Sequence, residues 1–177
     1  MNVTEKELST LFTSSVTREK AFRIIVDEYK ERLYWHIRKI VIQHEDADDI
    51  LQNTFIKAWE NADSFREEST LYTWLYRIAT NESLSFLRKE KKSWDKNGTN
   101  LLESLESDAY FNGDAVQKKL QQAILSLPER QRLVFNMKYF DEMKYENMAE
   151  ILELSVGALK ASYHHAVKKI MKIFQAD

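Results

Sequence analysis

Three groups of side chains in this chain of 177 residues have types and spacings that could do chemistry, and in each case it is the chemistry of recognition. The first lies in YENMAEILELSVGALKASYHHAVKKI, residues 145–170. A short helix, a three-residue turn and a longer helix with a basic outer face make the helix-turn-helix arrangement, which lays its second helix in a DNA major groove. Ala149 is small where the two helices would cross, and Leu154 is apolar in the turn, where it can fill the shared core. The second helix then presents Ser155, Ala158, Lys160, Ala161, Ser162, His164 and His165, with Lys168 continuing the basic surface. The second group is Phe65, Arg66, Tyr72, Trp74, Tyr76 and Arg77, followed by Arg88 to Lys92. Aromatics interleaved with cations suit single-stranded nucleic acid, because unpaired bases stack on rings while Lys and Arg hold phosphates. Trp74 falls on an apolar stripe with Leu71, Leu75 and Ile78, which favours a core position, whereas Phe65, Tyr72 and Tyr76 lie off it. The third group is acidic. Asp48, Asp49, Gln52 and Asn53 share the polar side of a helix over 45–60, as either a solvated face or a protein-docking face.

Bond-making chemistry finds no support. The sequence has no Gly-rich phosphate loop, HExxH motif or nucleophile elbow. His164 and His165 are adjacent, so on a helix they diverge and cannot share a metal. With no cysteine there are no disulfides, thiolate zinc sites or iron–sulfur clusters. The expectation is a protein without catalytic residues, cofactor or metal.

The charges are segregated. Net charge is −2, yet residues 44–68 carry a local −6 while 156–174 carry four lysines and no acid. Clustered cations are the form that a phosphate-binding surface takes, and also the form of a one-signed solvated helix face.

These groups need rigid elements to hold them, and the composition says which kind. Average usage would supply about 12 Gly and about 9 Pro in this length; the chain has three and one. So few turn residues exclude a sheet-rich fold and predict an all-α one. One apolar stripe at helical spacing runs Phe22, Ile25, Val26, Tyr29, Leu33, Ile37, Ile40 and Val41. A second runs Ala47, Ile50, Leu51, Thr54, Phe55, Ala58 and Trp59, with Asp46 as its expected cap. A third helix starts at Ser69 or Thr70 and runs to about Lys92. Residues 93–114, rich in Ser, Asn, Asp and Gly, read as a linker with one short helix at 101–106. Beyond it, Val116, Leu120, Ala123, Ile124 and Leu127 mark a helix. Leu133, Val134, Met137 and Phe140 mark another that begins at Pro128, and the helix-turn-helix pair follows. The expected architecture is therefore two small helical domains on a flexible linker, the second a four-helix domain containing the helix-turn-helix. Residues 1–17 form an extension, 18–92 the first domain and 115–177 the second. The polar, acidic start MNVTEKELST predicts no signal peptide, and no apolar run reaches the ~18 residues of a membrane span, so a cytoplasmic protein is expected.

DADDILQNTFIKAW (46–59) followed by DSFREESTLYTWLYRIATN (63–81) resembles region two of bacterial RNA polymerase sigma factors of the extracytoplasmic-function (ECF) group. LPERQRLVFNMKYFDEMKYENMAEILELSVGALKASYHHAVKKI (127–170) resembles their region four. The resemblance implies that Asp48, Asp49, Gln52 and Asn53 dock on the clamp helices of the largest polymerase subunit. It implies that Phe65, Arg66, Tyr72, Thr73, Arg77 and Asn81 open the minus-ten element, with Arg88 and Lys89 near upstream phosphates. The 156–170 helix would read the minus-thirty-five element, region four would also touch the polymerase flap, and an anti-sigma factor is an expected partner. Many relatives have Gly in place of Glu153, and often Thr, Arg and Arg in place of Ala158, Ser162 and His165, which implies a different promoter preference.

The magnitudes fit that role. Separating duplex DNA costs about 1.4 kcal/mol per base-pair step, and a base stacked on an aromatic returns about 1–3 kcal/mol. A few captured bases can nucleate opening, but the polymerase must hold the bubble. With net charge −2 and an acidic helix, the free chain is expected to bind promoter DNA weakly. The rival expectation is an autonomous helix-turn-helix regulator. Such proteins usually dimerise, and the sequence has no dimerisation coiled coil.

Overall fold

The computed structural model describes residues 3–97, 101–111 and 113–176; the side chains of 92–97 and 102, including Lys92 and Trp94, lie outside the description. Regular structure among the described residues is helical throughout: α1 (Glu5–Thr13), α2 (Arg18–Val41), α3 (His44–Glu60), a 3-10 turn (Ala62–Ser64), α4 (Leu71–Asn97), α5 (Leu101–Ser107), α6 (Ala115–Leu125), α7 (Glu129–Tyr139), α8 (Tyr145–Leu152) and α9 (Val156–Gln175).

The first module is α1 to α4. Its α1 falls in the N-terminal segment for which the sequence suggested no structure, although Thr4 and Glu7 are the ends of a T-x-x-E capping pattern. The Thr4 hydroxyl accepts the Glu7 N–H (3.3 Å), and the Glu7 carboxylate accepts the Thr4 N–H (2.8 Å). Donation from the Thr4 N–H, and from the Thr4 hydroxyl (2.9 Å), holds the Glu7 carboxyl below its ordinary value. Fully buried Phe12 packs between Phe22 and Trp74, each ring centroid 6.1 Å away. Arg18 then clasps the end of α1 to the loop after α3. Its guanidinium donates to the Phe12 carbonyl (3.1 Å) and the Thr13 carbonyl (3.3 Å) and pairs with Asp63.

Of the apolar stripe of α2, Ile25, Tyr29, Leu33, Ile37, Ile40 and Val41 are buried and Phe22 and Val26 half-buried, and His36 and Arg38 are buried as well. The link from α2 to α3 is tight. Ile42 has φ 71° and ψ −47°, and Gln43 N–H donates across it to the Val41 carbonyl at 2.9 Å. A β-branched residue at positive φ is strained; burial of its side chain against Leu105 and Phe111 offsets the strain. Helix α3 starts at His44 with Gln43 at its cap position, so Asp46 lies inside the first turn and is not the cap. There burial, then Glu90, Asp49 and Glu45, push its carboxyl above the ordinary value. Helix α4 continues past Lys92 to Asn97, because no Gly or Pro interrupts it before Gly98.

The second module is α6 to α9. Asp114 caps α6 by accepting the Gln117 N–H (2.7 Å), Pro128 occupies the cap of α7, and the Ser155 hydroxyl accepts the Ala158 N–H (3.1 Å) to start α9. Ala123, Ile124, Leu127, Phe135, Ala166 and Ile170 form its own core. Two residues read as apolar anchors are exposed instead: Val116, 67% accessible on the first turn of α6, and Phe140, 37% accessible just past α7.

The modules do not stand apart. Leu133, Val134, Met137, Met143, Met148, Ile151 and Leu159 belong to one continuous hydrophobic cluster with the first module's core. Helix α8 lies against α4, and α7 meets α2. The segment read as a linker is anchored too. Leu105 and Phe111 are buried with Ile42, the Tyr110 ring stacks on Trp35 (4.5 Å), Gln43 donates to the Ser104 hydroxyl (2.9 Å), and Arg38 pairs with Asp108. Its described residues include α5, where the short helix was expected.

Candidate nucleic-acid interface and docking helix

The turn and helix at 62–81 build a pair of neighbouring cavities. One, of about 390 Å³, is lined by Ser64, Phe65, Arg66, Glu68, Ser69, Trp74 and Arg77 of the first module and Glu150 of α8. The other, of about 330 Å³, is lined by Lys57, Asn61, Ser64, Trp74, Ile78, Asn81 and Glu82. Trp74, placed in the core by its spacing, lines both. It stands at the edge of the apolar stripe, with its indole tilted against Phe65 (5.0 Å) and Phe12 on the inner side. A tryptophan can be packed on one face and available on another, which an apolar stripe alone does not distinguish.

The other aromatics also differ from the sequence expectation. Phe65 and Tyr76 are buried, and Tyr72 is half-buried. Tyr76 lies against His36 (4.9 Å) and Tyr72 (4.4 Å), and burial pushes its hydroxyl far above the ordinary value, so it is a neutral core residue. Burial likewise raises the Tyr72 hydroxyl, which Arg32 partly counters from 5.0 Å over the ring. Thr73 is buried, its N–H donating to the Thr70 hydroxyl (3.1 Å) to begin α4. Arg66 and Asn81 are exposed, and so are Arg88 and Lys89 farther along α4. Arg77 is half-buried, and its Nε lies buried beside the cavity with no hydrogen-bond partner.

On α3, Asp49, Gln52 and Asn53 are exposed and Asp48 is half-buried, its carboxylate 3.2 Å from His44 Nε2. Sequence reading missed Ile56, 54% accessible, two turns on from Asp49 and one turn on from Gln52. It also assigned Trp59 to the core, where the structure leaves it 41% accessible with its ring edge on Phe22 (5.1 Å). The face is thus acidic at one end and apolar at the other. Lys57 is held aside by an ion pair with Glu82 (2.5 Å).

On α9, Ser155, Lys160, Ala161, His164, His165 and Lys168 are exposed, while Ala158 and Ser162 are half-buried. The Lys160 ammonium lies 5.7 Å from the centroid of the Tyr145 ring. The turn before α9 is made by Glu153 in the left-handed region, φ 55° and ψ 45°.

A match to the family described as Sigma-70 region 2 covers residues 25–93, most of α2 to α4, and a match to Sigma-70, region 4, covers 117–170, most of α6 to α9. The chain is 34% identical over 166 residues to the ECF RNA polymerase sigma factor SigW of Bacillus subtilis, a match covering 87% of this chain and 89% of that one. The chain belongs to the ECF sigma factors of the sigma-70 family. Among solved structures, this ECF sigma factor resembles the sigma factor RpoE in complex with the anti-sigma factor NepR from Bartonella quintana, at TM-score 0.71 and 26% identity over 89% of this chain and 99% of that one. It shares a fold with CnrH in complex with the cytosolic domain of CnrY, at TM-score 0.74 and 23% identity over 98% of both chains. As a sigma factor it directs RNA polymerase to promoters. No helix among the described residues is long and apolar enough to cross a membrane.

Proposed function

We propose a division of labour among three surfaces of this sigma factor. The α3 face of Asp48, Asp49, Gln52, Asn53 and Ile56 docks on the clamp helices of the largest polymerase subunit. The paired cavities at the start of α4 receive unpaired non-template bases of the minus-ten element. Arg66, Arg77 and Asn81 supply donors there, and Arg88 and Lys89 hold phosphates upstream. Helix α9 reads the minus-thirty-five element through Lys160, His164, His165 and Lys168, and the second module also meets the flap.

The observation that carries this reading is the cavity pair around Trp74, whose lining sets Arg66, Arg77 and Lys57 and the amides of Asn61 and Asn81 among the carboxylates Glu68, Glu82 and Glu150 and the hydroxyls of Ser64 and Ser69. An aromatic ring beside cations and amides fits capture of a planar base. The chain then acts without enzymatic activity of its own, in the cytoplasm where the polymerase is, and an anti-sigma factor is a fitting partner, as for the two solved relatives. An autonomous regulator would need neither the α3 face nor the cavities.

The test is permanganate footprinting of unpaired thymines at a promoter bound by reconstituted holoenzyme. Asn81→Ala and Arg66→Ala are expected to lower reactivity in the minus-ten region while polymerase still co-purifies. Unchanged reactivity would reject the cavity assignment. Lys160→Glu is expected to abolish promoter-directed transcription; unchanged transcription would reject DNA reading by α9.

A further inference from the structure

Helix α1 precedes the residues matched to region two, yet it bonds to the elements that form the cavities. The first N–H groups of a helix have no partner within it, and two of those that open α4 find side-chain acceptors. Thr73 N–H donates to the Thr70 hydroxyl, three residues back (3.1 Å). Tyr72 N–H donates to the Glu5 carboxylate of α1 (2.9 Å), 67 positions away. The same Glu5 oxygen accepts the Tyr29 hydroxyl of α2 at 3.4 Å. A carboxylate also suits the positive end of the α4 dipole.

The other end of the loop before α4 is held as well. Arg18 donates to the Phe12 and Thr13 carbonyls that end α1 and pairs with Asp63 in the 3-10 turn. Between these anchors Glu67 takes positive φ (55°). Such a conformation in a non-glycine residue persists only where its surroundings over-determine it. This segment supplies Ser64, Phe65, Arg66, Glu68 and Ser69 to the cavities. Phe12 of α1 adds a third contact: its ring centroid lies 6.1 Å from that of Trp74, which lines both cavities.

We propose that α1 is the positioning element of base capture: Glu5 and Arg18 hold the two ends of the 63–72 segment and Phe12 backs Trp74, so that the cavities stand formed before a base enters. This rests on the cavity reading given under Proposed function. Glu5 and Asp63 are exposed and line neither cavity, so they are positioning residues that act through the loop. Ordering the segment in advance spares the entropy that the loop would otherwise lose when a strand binds.

Holoenzyme reconstituted with full-length Glu5→Ala or Asp63→Ala tests it, read by affinity for a single-stranded non-template minus-ten oligonucleotide. Glu5→Ala is expected to lower that affinity about fivefold, the equivalent of one helix-cap bond, and Asp63→Ala to lower it too. Co-purification with core polymerase, affinity for a duplex minus-thirty-five element and the circular dichroism should stay unchanged, whereas a general loss of folding would lower all of them together. Asp63→Ala serves if Glu5→Ala proves unfolded. Glu5→Gln, which keeps an acceptor oxygen and removes the charge, is expected to recover most of the loss. The direction of the change is decisive. If these acids matter only as charges near DNA, removing either one raises the affinity, because phosphates are then repelled less. Raised or unchanged affinity in either folded variant overturns the proposal, and so does Glu5→Gln binding as weakly as Glu5→Ala. Trp74→Ala in the same assay separates the two readings: if it weakens capture and Glu5→Ala does not, the role of α1 alone fails, and if neither does, the cavity reading fails with it.

Discussion

The indole of Trp74 tilts against the Phe65 ring with centroids 5.0 Å apart, so one aromatic pair forms the boundary between the hydrophobic core and two solvent-facing cavities. The buried member, Phe65, fixes the partly exposed one. Side-chain rotation of Trp74 is limited before any base arrives, and a preorganised platform loses less entropy on binding than a free one.

Trp74→Ala should weaken binding of a non-template minus-ten oligonucleotide by holoenzyme. The expected loss is that of one stacked base, about 1–3 kcal/mol, or about 5- to 150-fold. Trp74→Phe should recover most of it. Equal affinities for the unmodified and Ala proteins would mean that bases do not use this ring.

The α3 face gives a second prediction. Ile56→Asp places a charge on an exposed apolar position, and Asp49→Lys reverses one two turns earlier on the same face. Neither residue is in the core, so the helical circular dichroism should be unchanged. Each should weaken co-purification with core polymerase, Ile56→Asp by about 2 kcal/mol or more if it is an interface anchor. Full retention of both variants on core enzyme would assign the face to solvent.

Glu153 gives a third. A non-glycine residue in the left-handed region costs about 1–2 kcal/mol, and glycine there gives back about 0.5–1 kcal/mol as lost chain entropy. Glu153→Gly should therefore stabilise the chain by about 0.5–1 kcal/mol in urea unfolding. A lower midpoint would show that the Glu153 side chain contributes more than its backbone strain removes.

A fourth concerns acid. Burial pushes the Asp141 carboxyl up, but the hydrogen bond and charge of His36, with Lys39, outweigh it and hold the group below its ordinary value of 3.8. A carboxyl lowered on folding stabilises above its unfolded value, and that contribution is lost as pH falls through the folded one. Unmodified protein should exceed Asp141→Asn by about 1.5–3 kcal/mol near neutrality, the range for hydrogen bonds to charged groups. The gap should hold down to about pH 4 and close below it. A gap that persists undiminished well below that range would mean the carboxylate is not the stabilising species.

Much of this was legible in the sequence, for physical reasons that also explain the gaps. Helix periodicity placed α2, α3, α4 and α9, because a buried stripe at 3.6-residue spacing is written directly in Ile25, Leu33, Ile37 and their equivalents. The Ser155 cap was legible because a side chain capping its own helix is a local event. Contacts between distant segments were not. His36 and Asp141 lie more than a hundred positions apart in the chain, and nothing local marks a buried histidine as half of an intermodule pair. For Trp74 the apolar stripe reports that the ring touches the core, which it does, but not that its other side is open. Val116 and Trp59 were assigned inward for the converse reason: their types are apolar, but Val116 is 67% accessible and Trp59, despite its contact with Phe22, 41%.

The account's central claim is that this sigma factor brings polymerase to particular sequences and starts transcription there. Run-off transcription of a fragmented genomic DNA pool with core polymerase, with and without the purified chain, tests it most directly. Discrete RNA 5′ ends that appear only when the chain is added are the result expected. An absence of any defined start, or the same starts with core polymerase alone, would contradict it.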